Sequence, residues 1–287
     1  IFAAKGRPAD HPLIVHLARA EDMRRWARAI PDVAWRLAEQ FWPGPLTLIL
    51  QRQPGMAEAA SAGLPTIGLR VPGHPAALAL LEQFGSGLAA PSANRFGRIS
   101  PTAAAHVLAE LDGRIEAVLD GGACAVGLES TILDLSGEKP RILRPGAISA
   151  ADISALAGEL ALGDAAAPRA PGSLEAHYAP GTPLRLVERE QIEPESAALM
   201  SDENLIVLSC ENPPDRLAAP MRCRWIKMPA EPAAYGAALY ARLREADAMG
   251  LQRIVVVLPP CTESWEAVHD RLMRSAAGAG KRVSDEK

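Results

Sequence analysis

Short apolar runs of strand character alternate with helix-patterned stretches along most of this 287-residue chain, and that alternation restricts it to an α/β architecture. LTLIL (Leu46–Leu50) and TIGLRV (Thr66–Val71) read as strands, and HPAALALLEQF follows as a helix with Pro75 at an early, tolerated position. GLAAPSAN reads as a buried strand entering a loop. Ser100 and Pro101 then have the character of an N-cap and a first helical residue, opening a helix that reaches about Leu111. EAVLDGG, STILDLS and RILRPG supply further short strands, and a helix is expected near residues 151–160.

Composition changes after that helix. GDAAAPRAPGSLEA is rich in Ala, Pro and Gly without an apolar period, the character of a linker. PLRLVE, NLIVLS and RIVVVLPP are strand-like beyond it, with helical patterns in PAAYGAALYARLREADAM and ESWEAVHDRLMRSA. The expectation is a small three-layer domain on a mostly parallel sheet. A net charge of −4 argues against wholesale coating by nucleic acid, although Arg24, Arg25 and Arg28 form a local basic group that a solvated helix face explains. Cys124, Cys210, Cys223 and Cys261 lie far apart, without metal-ligand spacing, and read as reduced, mostly buried thiols of a cytoplasmic protein. No run has the length of a membrane span.

The usual nucleotide loops are missing: there is no G-x-x-x-x-G-K-[ST], and no G-x-G-x-x-G joins a strand to a helix. No G-x-S-x-G elbow supports a serine hydrolase. What remains is a set of short polar motifs at the ends of apolar runs. Lys5-Gly6-Arg7-Pro8 sets two cations around a glycine, which suits a polyphosphate but also occurs on ordinary surfaces. His11 fits a turn and His16 a hydrogen-bonded core position. Ser92, Asn94 and Ser100 are explained equally by turn and capping chemistry or by anion binding. Ser130 precedes an apolar strand, and Arg144 closes one, where a surface ion pair is the default. Thr66, Gly68 and Arg70 share one face of a strand, and an arginine between apolar residues requires a partner.

The order of these motifs is more specific than any one of them. K-G-R-P…H-P-L-x-V-H, P-G-P-L-T, T-I-G-L-R-V-P, A-P-S-A-N…G…S-P-T, E-S-T-I and R-P-G-A together resemble the YrdC-like threonylcarbamoyl-AMP synthase family, from the first residues to about Ile148. APGSLEAHYAP (Ala170–Pro180) is similar to the linker of the longer, two-domain members. The resemblance implies a YrdC-like twisted mixed sheet with helices over residues 1–160, a linker over 161–183, and a small Rossmann-like three-layer domain over 184–287. Two departures stand out. The family's N-terminal P-T-[ED]-T-[VY]-Y-G-L motif is absent, and the chain starts at Ile1 rather than Met, so part of the first domain is expected to be missing. Ser173 also stands where the family usually has Met.

By the same resemblance, the protein would condense L-threonine, bicarbonate (or CO2) and ATP into L-threonylcarbamoyl-AMP and pyrophosphate. A partner threonylcarbamoyl transferase complex would then use this intermediate for the t6A modification of tRNA. Carried over motif by motif, Lys5, Arg7 and Arg144 would be catalytic. Arg7, His11, Thr66, Ser92, Asn94, Ser100, Arg144 and Tyr178 would bind ATP. His16, Arg70, Ala90 (through its backbone) and Ser130 would bind threonine. Magnesium would be held through the phosphates, without a metal site of the protein's own. HYAP would act as a lid, the plainer alternative being that Tyr178 packs between domains. The competing function is a non-catalytic YrdC-like protein that holds an RNA duplex backbone on a basic surface.

Overall fold

The computed structural model describes residues 1–161, 168–172, 174–191, 204–213 and 223–280, which leaves Ser173 outside the described residues. The chain forms two compact units. Ile1–Ala93, Leu111–Gly122 and Glu129–Ser173 make the first; Asn94–Glu110, Ala123–Leu128 and Leu174–Lys287 make the second.

The first unit is built on a six-stranded mixed sheet. Its strands are β1 (Ile14–His16), β2 (Leu46–Gln51), β3 (Thr66–Arg70), β4 (Leu88–Ala89), β5 (Thr131–Asp134) and β6 (Arg141–Arg144). They lie in the order β4-β1-β3-β2-β5-β6. β1 runs parallel to β3 and β2 parallel to β5, while the remaining pairs are antiparallel. Because successive side chains leave a strand on opposite faces, Val15, Leu48, Leu50, Ile67, Leu69 and Leu133 point one way into a shared apolar core. The helix Asp32–Phe41 closes that face with Ala34, Leu37 and Ala38, the i, i+3, i+4 stripe of an amphipathic helix. Ile153, from the helix Ala150–Ala157 with its Ser149–Asp152 capping box, joins the same core.

The helix Pro75–Phe84 starts as its sequence directs, with His74 Nδ1 accepting from the Ala76 N–H, Pro75 in the first turn and Gly85 closing at φ 68°. Several local expectations give way. The helix after Ser100 begins only at Ala104, because the Thr102 N–H donates to His106 Nδ1 and the Ser100 carbonyl is held by Arg244. EAVLDGG forms no strand, and its Leu119 is exposed. β4 is only two residues long and half-buried rather than buried. Cys124 and Cys261 are exposed and Cys210 is half-buried, which corrects the expectation of buried thiols.

The second unit carries a four-stranded sheet, β7 (Leu184–Val187), β8 (Leu205–Ser209), β9 (Cys223–Lys227) and β10 (Arg253–Val257), in the order β7-β10-β8-β9 with every neighbouring pair parallel. The helices Pro232–Ala248 and Glu266–Gly278 bury Tyr235, Leu239, Leu243, Val268 and Leu272 with Ile206, Leu208, Ile254 and Val256 in one core. β9 escapes the sequence patterning because Arg224 and Lys227 interrupt it; both are exposed on what proves to be an edge strand. Among the described residues, no helix is long and apolar enough to cross a membrane.

Candidate active site

The face of the mixed sheet turned away from the helices carries polar residues in a single row. His16 on β1 pairs with Arg70 on β3. The β2–β3 register, with Leu48 opposite Leu69, continues to Thr47 opposite Arg70. Thr47 pairs with Ile132 on β5, and Ile132 with Arg144 on β6. With strands about 4.8 Å apart, the backbones of Arg70 and Arg144 are separated by three steps, roughly 14 Å, a gap that two extended arginine side chains can close.

Arg144 reaches this face because of an irregularity. Ile132 pairs with Arg144 but Leu133 with Ile142, so Leu143 is an extra residue on β6. Without that bulge Arg144 would follow Ile142 into the helix-covered core. The guanidinium is almost fully buried, at 3% exposure. Its Nε and Nη2 donate to the Ser130 carbonyl (3.1 and 2.8 Å), Nη2 also to Ser130 Oγ (3.1 Å), and Nη1 to the Pro171 carbonyl (2.9 Å). Gly146 secures this approach, since a Cβ there would meet the Thr131 backbone nitrogen at 2.4 Å.

Arg70 donates from Nε to the Gly44 carbonyl (2.8 Å). Burial first, and the Arg144 guanidinium second, pull its pKa down to about 10. Among the described residues neither arginine forms an ion pair with a carboxylate. Beside Arg70, burial and then the Arg70 charge bring His16 down to about 4, so its imidazole is neutral at pH 7. Such a row, with two converging cations and no acid, is suited to a bound anion.

A second group lies around the start of β1. Gly6, at φ 65°, ends the short helix Phe2–Lys5. Lys5 Nζ donates to the Ser92 carbonyl at 2.6 Å. Arg7 donates to the carbonyls of Pro12 (2.8 Å) and His11 (3.4 Å). The His11 imidazole is lowered by burial, then by Arg7, with Asp10 acting the other way. The first unit thus brings Lys5, Arg7, His11 and Ser92 to one place, and His16, Arg70, Ser130 and Arg144 to another. Thr66 shares the face of Arg70 but pairs with Gln51, four residues or about 13 Å along β3. Ala90 is exposed, and its N–H donates to the Ile14 carbonyl, which leaves its carbonyl as the backbone group open to a ligand.

The remaining candidates belong to the second unit. Asn94 is buried and donates to the carbonyls of Arg95 and Arg98 (2.7 and 2.9 Å). Ser100 is 5% exposed. Tyr178 is 1% exposed, with its ring 5.5 Å from that of Tyr240 and the Arg271 guanidinium 5.5 Å above it. That packing gives Tyr178 a share in the stability of the second unit. One residue of the row was not singled out by the sequence: Thr47, fully buried, with Oγ1 2.8 Å from Ser130 Oγ. Its signals there are the Thr that breaks the apolar run LTLIL and the last position of the P-G-P-L-T motif, to which no role was attached.

Comparison with known proteins is consistent along the chain. The Sua5/YciO/YrdC family, described as "Telomere recombination", matches residues 1–146, and the family described as "Threonylcarbamoyl-AMP synthase, C-terminal domain" matches residues 148–277. A threonylcarbamoyl-AMP synthase of Bacillus subtilis is 37% identical over 97% of this chain and 83% of its own length. One from Pyrococcus abyssi is 43% identical over 66% of this chain, an alignment spanning only 57% of that relative. The crystal structure of P. abyssi Sua5 complexed with L-threonine superposes with a TM-score of 0.86 at 32% identity, covering 97% of this chain and 84% of the other.

Proposed function

The chain belongs to the Sua5/YciO/YrdC family, and on that premise we propose that it is an L-threonylcarbamoyl-AMP synthase, a nucleotidyltransferase that joins L-threonine, bicarbonate or CO2 and ATP and releases pyrophosphate. The observation that carries this reading is the row on the sheet face opposite the helices, where Arg70 and Arg144 converge without a carboxylate partner among the described residues. Arg70 has one nitrogen engaged by Gly44, and its terminal nitrogens suit the two oxygens of an amino-acid carboxylate. Neutral His16 and the Ser130 hydroxyl flank it as hydrogen-bonding groups for the rest of threonine, with the Ala90 carbonyl as a backbone acceptor.

In this reading the threonine amine captures CO2 as a carbamate, and a carbamate oxygen attacks the α-phosphorus of ATP while pyrophosphate departs. The protein's task is positioning and charge neutralisation rather than strong base catalysis. Lys5, Arg7 and Arg144 would offset the charge on the phosphates, with His11, Thr66 and Ser92 as further nucleotide contacts. The family resemblance adds Asn94, Ser100 and Tyr178 to the nucleotide residues. By the family resemblance magnesium would arrive with the triphosphate, held through the phosphates. The proposal includes a catalytic part over 1–160, a connecting segment over 161–183, a cytoplasmic setting and a downstream tRNA-modifying transferase. Incubation with labelled bicarbonate, threonine and ATP tests it directly. Labelled threonylcarbamoyl-AMP that requires all three supports the synthase, whereas RNA binding without product would favour the non-catalytic alternative.

A further inference from the structure

We propose that Thr47 is a positioning residue for the amino-acid ligand: it turns the hydroxyl proton of Ser130 toward that ligand. The inference rests on the reading above, in which this row of the sheet binds threonine.

The argument is a count of protons. Arg144 Nη2 donates to Ser130 Oγ at 3.1 Å, and since a guanidinium has no acceptor, Ser130 must accept in that contact. The two hydroxyls of Thr47 and Ser130 lie 2.8 Å apart and have two protons between them. One proton fills the bond between them; the other meets no acceptor among the described residues. If Ser130 were the donor, the spare proton would sit on Thr47, at 0% exposure and with nothing to receive it. The favoured arrangement is the reverse: Thr47 donates to Ser130, and Ser130 keeps a proton for a ligand. Receiving bonds from both Thr47 and a cation polarises the Ser130 hydroxyl and makes it a stronger donor.

The acceptor in reach is an anion on Arg70. Thr47 lies opposite Arg70 in the strand register, so a carboxylate gripped by Arg70 shares its position along the row. The Thr47 side chain is also fixed. Its branched Cβ limits its rotamers, and its methyl would lie only 3.6 Å from a Cβ at Gly68, on the floor of the same face. Serine at position 47 would keep the hydroxyl but lose that constraint, and valine would keep the shape but lose the hydroxyl.

The test uses the full chain, with threonine binding followed by calorimetry and product formation followed kinetically. Thr47→Val is expected to raise the threonine Kd and KM about tenfold, the effect of one lost oriented hydrogen bond, with kcat and the ATP KM within about twofold. Thr47→Ser should restore threonine affinity to within about threefold of wild type. In a Ser130→Ala background, Thr47→Val should cost nothing further. Wild-type threonine affinity in Thr47→Val, a serine variant as weak as the valine variant, or full additivity with Ser130→Ala would overturn the proposal. A wild-type chain that binds no threonine would overturn instead the reading on which it rests.

Discussion

The two sheets of this protein differ in the use of their second face. In the first unit, helices cover Val15, Leu48, Ile67 and Leu69, while the opposite face sets His16, Arg70, Thr47, Ser130 and Arg144 beside a small apolar cluster of Ile14, Ile49, Ile132 and Ala170. In the second unit both faces are apolar: Ile206, Leu208, Ile254 and Val256 meet the helices, and Val187, Val207, Val255 and Val257 cluster on the other side with Trp225. The sequences carry the contrast. RIVVV and LIVLS are unbroken apolar runs, as a parallel sheet buried on both faces requires, whereas TIGLR is interrupted at every second residue. The interrupted pattern belongs to the sheet that carries the candidate chemistry, and the unbroken one to a scaffold.

If that division holds, damage to the second unit should register as lost stability. Tyr178→Ala removes a fully buried ring packed between Tyr240 and Arg271, at an expected cost of about 3–5 kcal/mol in denaturant unfolding. Tyr178→Phe should retain most of that stability. An alanine variant with unchanged unfolding and weakened nucleotide binding would favour the lid and break the comparison.

Damage to the row of the first unit should register as lost catalysis. Arg144→Ala is expected to slow threonylcarbamoyl-AMP formation by about 10²–10³, the usual effect of losing one preorganised donor to developing charge. Its stability cost should be smaller, on the order of 1–3 kcal/mol, from the carbonyls of Ser130 and Pro171 left without their donor. Near-normal turnover in a folded variant would remove Arg144 from the site.

The row should also leave a signature in acid. His16 titrates at about 4 when folded, against 6.5 for an ordinary histidine, because burial and Arg70 disfavour its charged form. Between these values the unfolded chain binds the proton and the folded chain does not, so stability falls as pH drops from 6.5 toward 4 and His16 has no further effect below. The shift corresponds to about 3 kcal/mol. Unfolding measured at pH 7 and pH 4.5 should show a smaller difference in His16→Asn than in wild type. An equal difference in the two proteins would mean that His16 is solvated.

Much of this architecture was legible beforehand. The period of two in TIGLR places Arg70 opposite the core, and the Ala/Pro/Gly-rich stretch separates the two strand-rich regions. The parts that were not legible have local physical causes. The face of Arg144 depends on a bulge at Leu143, which no residue type announces. Thr47 was hidden because threonine is an ordinary strand former, and its meaning comes only from Ser130, 83 residues away. Ser100 and Pro101 have the composition of a helix start, yet tertiary bonds to Arg244 and His106 delay the helix to Ala104. His177 and Tyr178 sit in a stretch of linker composition, and their burial follows from neighbours far along the chain, Arg274 and Tyr240.

The smallest expected effect sharpens the comparison most, because it asks about geometry at constant charge. Arg70→Lys keeps a cation on the face opposite the helices but loses the planar fork. In the native row Arg70 uses Nε to hold the Gly44 carbonyl, which fixes the plane of the guanidinium and leaves its two terminal nitrogens for both oxygens of a carboxylate. Lysine has a single nitrogen for both tasks, so either the Gly44 carbonyl or the ligand goes short. The ammonium would also feel the desolvation and the Arg144 charge that already pull Arg70 down to about 10, and a lysine starts from a lower intrinsic pKa. Threonine affinity should therefore fall about tenfold, near 1.4 kcal/mol, and fall further as pH rises through 8 to 9, where the lysine begins to lose its proton. ATP affinity and thermal stability should stay close to wild type. Calorimetric titration of threonine and of ATP at pH 7 and pH 9 separates the outcomes. Loss of ATP binding with threonine affinity intact would move Arg70 to the nucleotide and leave the row without its carboxylate partner.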